Sequence, residues 1–151
     1  NNYFSFFLKM HTVYLDGVFD LFHVSHISFI QKVREHAVKF FQVNAYDIRI
    51  VAGVVSDKDV ESYKRTPVMT LTQRVKMLQC CNLVDKVIPA SPLVVTSEFL
   101  KYHNIELVYH ADDSKQTDFF KVPIDLGIMQ YVPYDAEVST TAIIQKIKDH
   151  Y

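Results

Sequence analysis

The stretch that decides the fold is Asp16-Gly17-Val18-Phe19-Asp20-Leu21-Phe22-His23-Val24-Ser25-His26, which follows the apolar run Val13-Tyr14-Leu15. The pattern predicts a buried strand, a tight turn at Asp16-Gly17 and the start of a helix. His23 and His26 are three positions apart, so both imidazoles lie on one face of the first helical turn. Unpaired backbone N–H groups and the positive end of the helix dipole make this turn a candidate phosphate site.

The alternative is an ordinary connection from strand to helix, in which His23 caps the helix and His26 is half exposed. A bare pair of histidines at this spacing matches by chance often enough to leave both interpretations open. The longer string, with its strand, turn and helix context, favours the phosphate site. No G-x-G-x-x-G or Walker-type sequence follows the first strand, so an ordinary dinucleotide or P-loop site is not supported.

Apolar runs alternate with segments of helical period along the rest of the chain. Strands are predicted at residues 12–15, 48–55, 84–88, 107–109 and 128–132, the third one stopped by Pro89. Helices are predicted at 25–41, after the capping box that begins at Ser56, over 70–81 and 96–102, near 118–126 and after Ser139. This alternation predicts an α/β fold with a parallel sheet and helices on both faces. Ligands of such sheets bind beyond the carboxyl ends of the strands, at a topological switch point.

The length of 151 residues fits one domain, which we place at residues 11–151 after a lead-in segment at 1–10. Sixteen Lys and Arg against seventeen Asp and Glu give a net charge of -1, which excludes broad attraction to nucleic acid or to an anionic membrane. No apolar run approaches the roughly 18 residues of a membrane-spanning helix. The adjacent Cys80 and Cys81 form no disulfide framework or zinc motif, and we expect a cytoplasmic protein.

The histidine stretch resembles the G-x-F-D-x-x-H-x-G-H signature of the cytidylyltransferases, relatives of the class I aminoacyl-tRNA synthetases. The resemblance covers about His11 to Ile147, and it implies the Rossmann-like fold of the H-x-G-H nucleotidylyltransferases. Further matches follow in family order, at Ser56-Asp57, Lys64, Pro67-Val68-Met69-Thr70, Arg74, Val84-Asp85-Lys86-Val87-Ile88, Pro92, Val95-Thr96, Glu98, His110-Ala111-Asp112-Asp113 and Ser139-Thr140-Thr141.

The resemblance implies a role for each matching position. His23, His26 and Lys64 would be catalytic groups that bind the phosphates of CTP and stabilise the charge that develops at the α-phosphorus. The resemblance implies nucleotide-binding residues at Gly17, Val18, Phe19, Asp20, Arg74, Ser139, Thr140 and Thr141. It implies binding of the second substrate by Asp16, Asp112 and Asp113.

Five of these positions have an ordinary structural alternative. Lys64 alone would be a solvated loop lysine, and Arg74 would make a surface ion pair. Asp112 and Asp113 would form a turn that caps a helix, although their place after the fourth strand favours binding. Ser139 would be a plain helix N-cap.

Within the family, the chain is most similar to the ethanolamine-phosphate branch, in particular to the second of its two tandem folds; the choline-phosphate branch is the nearest alternative. The reaction implied is transfer from CTP to phosphoethanolamine, giving CDP-ethanolamine and pyrophosphate for phosphatidylethanolamine synthesis. Mg²⁺ would accompany CTP, held by phosphate oxygens and water because no all-protein metal site is visible. The expected partner is a second cytidylyltransferase domain in the same chain or a second copy in a homodimer.

The chain also departs from the family pattern. Ser25, Arg65, Ala111 and Glu137 stand where the family commonly has glycine. Tyr134 replaces a phosphate-binding arginine, and Asp135 and Glu137 add negative charge beside it. The second fold of the tandem enzymes also tends to lack this arginine. A catalytically weakened domain that binds nucleotide, or that stabilises or regulates a partner fold, is therefore the alternative to an active enzyme.

Overall fold

The computed structural model describes residues 9–111, 117–135 and 137–151. Within these ranges five strands form one parallel sheet in the order β3-β2-β1-β4-β5. The strands are β1 (His11–Gly17), β2 (Ile48–Val55), β3 (Lys86–Ser91), β4 (Leu107–Ala111) and β5 (Met129–Val132). The direction of progression through the sheet reverses between β1 and β4, which makes their carboxyl ends the switch point.

Helices connect the strands on both sides of the sheet. They are α1 (Val24–Phe41), α2 (Asp57–Glu61), α3 (Leu71–Gln79), α4 (Ser97–Tyr102), α5 (Lys121–Asp125) and α6 (Thr140–His150). Short 3₁₀ turns lie at Ala45–Asp47 and Thr117–Phe120. In the parts of the chain that the structure describes, no helix is long and apolar enough to cross a membrane.

The central strand β1 separates two apolar layers because successive side chains of a strand point to opposite faces. Val13 and Leu15 pack with Ile30 of α1 on one face. Tyr14 packs with Leu100 of α4 on the other face. The predicted α/β fold, with a Rossmann-like parallel sheet covered on both faces, is confirmed.

Local capping signals place two helix starts as the sequence predicts. The Ser56 hydroxyl accepts a hydrogen bond from the backbone N–H of Asp59 at 3.1 Å, and α2 begins at the next residue. Thr70 and Gln73 form a reciprocal capping box, in which the Gln73 side chain accepts from the Thr70 N–H at 2.9 Å. The Thr70 cap fixes the end of the loop between α2 and α3, which forms one wall of the site below.

The prediction that Pro89 stops the third strand is wrong. The strand begins at Lys86, two residues later than predicted, and continues through Pro89 to Ser91. Proline cannot donate to a sheet, but β3 is an edge strand, where the missing N–H faces away from the partner strand. The pairing with β2 is also irregular between Val54 and Val55.

The helix predicted near 118–126 is shorter than expected. A 3₁₀ turn over Thr117–Phe120 comes first, and α5 follows at Lys121–Asp125. Pro123 lies in the first turn of α5, where its missing N–H costs no helical hydrogen bond. Gly127 has a φ of +69°, as expected for a glycine just beyond a helix end.

Candidate active site

A cavity of about 800 Å³ opens at the switch point, over the carboxyl ends of β1 and β4. Its walls are the turn after β1, the first turn of α1, the loop between α2 and α3, and the start of α6. Eleven of the residues predicted for the site line this cavity: Asp16, Gly17, Val18, Phe19, Asp20, His23, His26, Lys64, Ser139, Thr140 and Thr141. Asp112 and Asp113, also predicted, lie outside the described residues.

The turn after β1 has a strained backbone. Phe19 and Leu21 have φ values of 52° and 49°, in the left-handed region that residues other than glycine rarely adopt. A Cβ on Gly17 would come within 3.1 Å of the Phe19 ring. Glycine therefore allows the ring to fold back against the strand end, and the turn brings backbone groups to the floor of the cavity.

His23 and His26 form a stacked pair at the start of α1. Their ring centroids are 3.8 Å apart, with 23° between the ring planes. The backbone N–H of His23 donates to Nδ1 of His26 at 3.2 Å, which leaves Nε2 as the nitrogen that carries the proton in neutral His26. Burial, followed by the charge of His23, lowers the pKa of His26 to about 3. Burial also lowers the pKa of His23, so the pair is uncharged at neutral pH.

Asp20 connects three walls of the cavity. Its carboxylate is buried and accepts hydrogen bonds from the backbone N–H groups of Val68 at 2.8 Å and Met69 at 2.9 Å. Its carbonyl oxygen accepts from the hydroxyl of Thr140 at 2.8 Å. Asp20 therefore fixes the loop before α3 and the start of α6 to the turn after β1.

Arg74 lies behind the cavity wall and not in its lining. Its side chain is fully buried, which rules out the surface ion pair considered as the alternative for this residue. The guanidinium donates to the carbonyl oxygens of Val18 at 2.7 Å, Val55 at 2.9 Å and Met69 at 3.1 Å, and to the carboxylate of Asp57 at 2.5 Å. Arg74 therefore stabilises the turn after β1 through its hydrogen bond to the Val18 carbonyl.

The loop between α2 and α3 brings two cations to the rim of the cavity. Lys64 is exposed, and its Nζ lies 5.7 Å from the centroid of the Tyr63 ring. Arg65 lies beside it, with Nη1 3.5 Å from Oδ2 of Asp20. The sequence predicts Lys64 at the site but gives Arg65 no role there.

Asp16 and a group of aromatic rings form another part of the lining. The Asp16 carboxyl is 7% exposed, and burial raises its pKa to about 7. Its Oδ1 lies 4.0 Å from Nε2 of His110. The rings of Tyr63 and Phe119 meet edge to face at 6.0 Å, and Phe120 lies 4.9 Å from the His110 ring. A carboxylate among aromatic faces is suited to an organic cation.

The start of α6 carries three hydroxyl groups. Ser139 accepts a hydrogen bond from the backbone N–H of Ala142 at 3.0 Å, as a plain N-cap does. The Thr140 hydroxyl donates to the carbonyl of Asp20. Thr141 is exposed at the rim, so it is the residue of the three that is best placed to meet a ligand.

Ser25 serves the structure and does not line the cavity. Its hydroxyl is buried and accepts a hydrogen bond from the backbone N–H of Val138 at 3.1 Å. The contact joins α1 to the segment before α6. The hydroxyl is therefore not placed to contact a ligand in the cavity.

The substituted segment before α6 is also tied to α1. The carboxylate of Asp135 accepts from the Ser28 hydroxyl at 2.6 Å and from Lys32 Nζ at 2.8 Å. These contacts lower the pKa of Asp135. The Lys32 ammonium on α1 therefore partly neutralises the charge of this carboxylate. Tyr134 lines the cavity and lies 6.4 Å from the Phe29 ring.

Four side chains line the cavity although the sequence motifs give them no role: Tyr63, Leu93, Phe119 and Phe120. These side chains follow β2, β3 and β4 in the chain, and parallel pairing brings the carboxyl ends of these strands to one edge. No motif marks them. The predicted topology was the signal that could have found them, since it places all the segments after the strands at the same edge.

The strand order and the cavity at the switch point define a Rossmann-like α/β domain with a candidate ligand site at its carboxyl edge. The crystal structure of the lipopolysaccharide core biosynthesis protein from Thermoplasma volcanium has this fold, with a TM-score of 0.63 and 18% identity. The match covers 84% of this chain and all of that one.

A family model described as cytidylyltransferase-like matches residues 14–146. The choline-phosphate cytidylyltransferase of Saccharomyces cerevisiae is 36% identical over 143 residues, 92% of this chain and 32% of that protein. The ethanolamine-phosphate cytidylyltransferase of Mus musculus is 30% identical over 142 residues, 89% of this chain and 33% of that protein. Choline-phosphate cytidylyltransferase 2 of Arabidopsis thaliana is 36% identical and covers 92% of this chain and 45% of that protein.

The chain belongs to the cytidylyltransferase-like family. It spans between a third and somewhat under half of the length of the relatives it matches. Proteins of the ethanolamine-phosphate and the choline-phosphate type match at similar identity, so the comparisons leave the choice between these two substrates open.

Proposed function

We propose that this domain transfers the cytidylyl group of CTP to phosphoethanolamine. A phosphate oxygen of phosphoethanolamine attacks the α-phosphorus of CTP and forms a new P–O bond. The bond from that phosphorus to the oxygen of the β-phosphate breaks, and pyrophosphate leaves with the bonding electron pair. The products are CDP-ethanolamine and pyrophosphate, and no covalent bond to the protein forms.

The observation that carries the proposal is the stacked His23–His26 pair in the cavity at the switch point. Both rings are uncharged at neutral pH and are held by stacking, by the contact from the His23 N–H and by the first turn of α1. Fixed N–H donors at a helix N-terminus stabilise charge that develops on phosphate oxygens and need no rearrangement during the reaction. In the proposal, Lys64 adds an exposed cation from the loop between α2 and α3, and Thr141 adds a hydroxyl.

Asp16 and the aromatic rings around it support an aminoalkyl phosphate as the second substrate. The ammonium of phosphoethanolamine would donate to the Asp16 carboxylate, and its charge would stabilise the ionised form of that group. The faces of Tyr63 and Phe119 would contact the ethylene carbons. Asp112 and Asp113 stay predicted substrate residues.

Mg²⁺ enters this proposal together with CTP. In the described ranges, no group of three or more His, Cys, Asp or Glu is arranged to hold a metal ion. The donors present fit a cation carried by the triphosphate and water, as Mg²⁺ commonly is in phosphoryl-transfer sites. Bound in this way, Mg²⁺ would neutralise phosphate charge.

The direct test is turnover of the 151-residue chain with CTP and phosphoethanolamine, followed by the release of pyrophosphate. We expect product from the unaltered chain and a loss of about 100-fold or more in kcat for His23→Ala or His26→Ala. His150→Ala, in the last turn of α6, is the matched control and should leave the rate unchanged. Binding of CTP without turnover would contradict catalysis by this domain alone.

Two observations each favour a different function that should be tested: phosphocholine as the second substrate, and a domain that binds nucleotide without catalysing. The edge-to-face pair of Tyr63 and Phe119 would also suit a quaternary ammonium, so phosphocholine must be compared with phosphoethanolamine at equal concentration. Tyr134 lines the cavity where the resemblance predicts an arginine, which favours a domain that binds nucleotide while a partner fold or a second copy catalyses. A higher kcat/KM for phosphocholine would overturn the choice of phosphoethanolamine.

A further inference from the structure

Arg65 lies on the cavity rim and uses only one guanidinium nitrogen, Nη1, in its contacts with described residues. The residue lines the cavity, and its side chain is 44% exposed. Its Nη1 lies 3.5 Å from the Asp20 carboxylate and donates to the carbonyl of Thr66 at 3.2 Å. Within the described residues, Nη2 and Nε make no hydrogen bond. The two contacts of Nη1 therefore hold the guanidinium in place, while the N–H groups of Nη2 and Nε stay available as donors.

The contacts of Asp20 define the part of the cavity that Arg65 faces. Asp20 accepts the hydrogen bond from Thr140 at the start of α6, and its charge acts on His26. Arg65 therefore lies beside a carboxylate whose charge acts on His26, and the backbone carbonyl of the same residue accepts from Thr140, so Arg65 is next to groups that would receive the triphosphate. Asp16, the proposed ammonium site, instead acts electrostatically on Tyr14 and Tyr63.

The histidine pair supplies no positive charge at neutral pH, because burial lowers the pKa of both rings. A triphosphate is polyanionic, so its charge must be compensated by other groups in addition to Mg²⁺. Among the described residues that line the cavity, Lys64 and Arg65 are the only ones with a Lys or Arg side chain. A planar guanidinium matches the geometry of two phosphate oxygens, which an ammonium cannot do.

On the basis of the proposed function, we infer that Arg65 binds the triphosphate of CTP through the open edge of its guanidinium. Asp20 acts as the counter-ion that positions this side chain when no nucleotide is bound. The arginine thus supplies, from the loop between α2 and α3, a phosphate contact that Tyr134 cannot make. The backbone of Arg65 does not have a positive φ, so the position imposes no need for glycine.

The test is titration calorimetry of the 151-residue chain with three ligands: CTP, inorganic tripolyphosphate and phosphoethanolamine. The variants are Arg65→Ala, Arg65→Lys and, as a matched control, Lys58→Ala. Lys58 is an exposed cation on α2 that does not line the cavity. For Arg65→Ala we expect Kd to rise about 10- to 100-fold for CTP and for tripolyphosphate. Arg65→Lys should recover part of this loss, and Lys58→Ala should bind like the unaltered chain.

The outcomes separate this inference from the function on which it rests. If the unaltered chain binds none of the three ligands, the proposed function fails and the inference fails with it. If the chain binds CTP and Arg65→Ala binds it equally well, the inference alone fails. A loss confined to phosphoethanolamine would also overturn it, because it would place Arg65 on the phosphate of the second substrate.

Discussion

The carbonyl oxygen of Val18 accepts a hydrogen bond from Arg74 Nη1 at 2.7 Å, which joins the turn after β1 to α3. The same side chain donates to the carbonyls of Val55, at the end of β2, and Met69, before α3. A buried cation therefore fixes the relative positions of the segments that form two walls of the cavity. The site depends on this residue although no atom of it lines the cavity.

Replacing Arg74 with methionine should destabilise the fold strongly. The change leaves three carbonyl oxygens without the donor that they share, and a buried polar group left unpaired typically costs about 1–3 kcal/mol. The partly exposed Asp57 carboxylate also loses its partner but keeps contact with water. The midpoint of urea denaturation measures the change. Arg49→Met, at an exposed position of β2, is the control and should shift stability by less than about 0.5 kcal/mol. Equal midpoints for the two variants would contradict the role given to Arg74.

Ser25→Ala should lower stability without improving nucleotide binding. The substitution leaves the Val138 N–H without its acceptor, at a cost of about 1–2 kcal/mol. Ser97→Ala, in the first turn of α4, is the matched control and should have a smaller effect. Thermal denaturation and CTP titration measure the two properties. Tighter CTP binding by Ser25→Ala would mean that the hydroxyl obstructs the ligand.

The sequence predicts the fold well where the signal is local. The capping residues Ser56 and Thr70 act within three positions, so their patterns identify the helix starts directly. The prediction at Pro89 is wrong because a strand tolerates this proline only at the edge of the sheet, and no local pattern reveals that β3 is an edge strand. The partner of Ser25 lies 113 positions away, and Arg74 reaches carbonyls of three segments. Such contacts follow from the packing of elements, so residue type alone suggested a surface or ligand role.

The pH dependence of stability should reveal two buried groups with opposing effects. Between pH 3 and 6.5 the folded chain keeps His26 neutral while the unfolded chain protonates it, so this group makes stability rise with pH. Between about pH 4 and 7 the folded chain keeps Asp16 protonated while the unfolded chain ionises it, so this group makes stability fall with pH. In the unaltered chain the two contributions oppose each other over the same range.

Asp16→Asn should therefore steepen the rise of stability with pH, by up to about 1.4 kcal/mol per pH unit between pH 4.5 and 6. His26→Gln should shift the slope in the opposite direction. Urea denaturation of both variants and of the unaltered chain at half-unit pH intervals measures the slopes. The difference between variant and unaltered chain cancels the surface carboxyl groups common to both. Parallel curves for all three proteins would contradict the buried state of these groups.

Lys32→Met should loosen the segment before α6 while costing little global stability. Lys32 contacts Asp135 and the carbonyl of Pro133, and both charged side chains are partly exposed and screened by water, so the global cost should be small. Local opening should make the Val138 amide exchange with deuterium about five-fold faster. Lys121→Met removes a comparable exposed pair, with Asp125, and should leave that amide unchanged. Unchanged exchange in both variants would mean that Asp135 does not hold the segment.

Tyr134→Arg should raise activity with CTP if the domain is a cytidylyltransferase with a weakened phosphate site. The side chain lines the same cavity as Arg65, so an arginine there would place a second guanidinium against the triphosphate. We expect kcat/KM for CTP to rise about 10-fold or more, and the lost contact with Phe29 to cost about 1 kcal/mol of stability. Tyr131→Arg makes the same change at an exposed position of β5 outside the cavity, and it should leave the rate unchanged. Equal gains in both variants would indicate a general effect of charge, and a loss confined to Tyr134→Arg would show that the tyrosine itself serves the site.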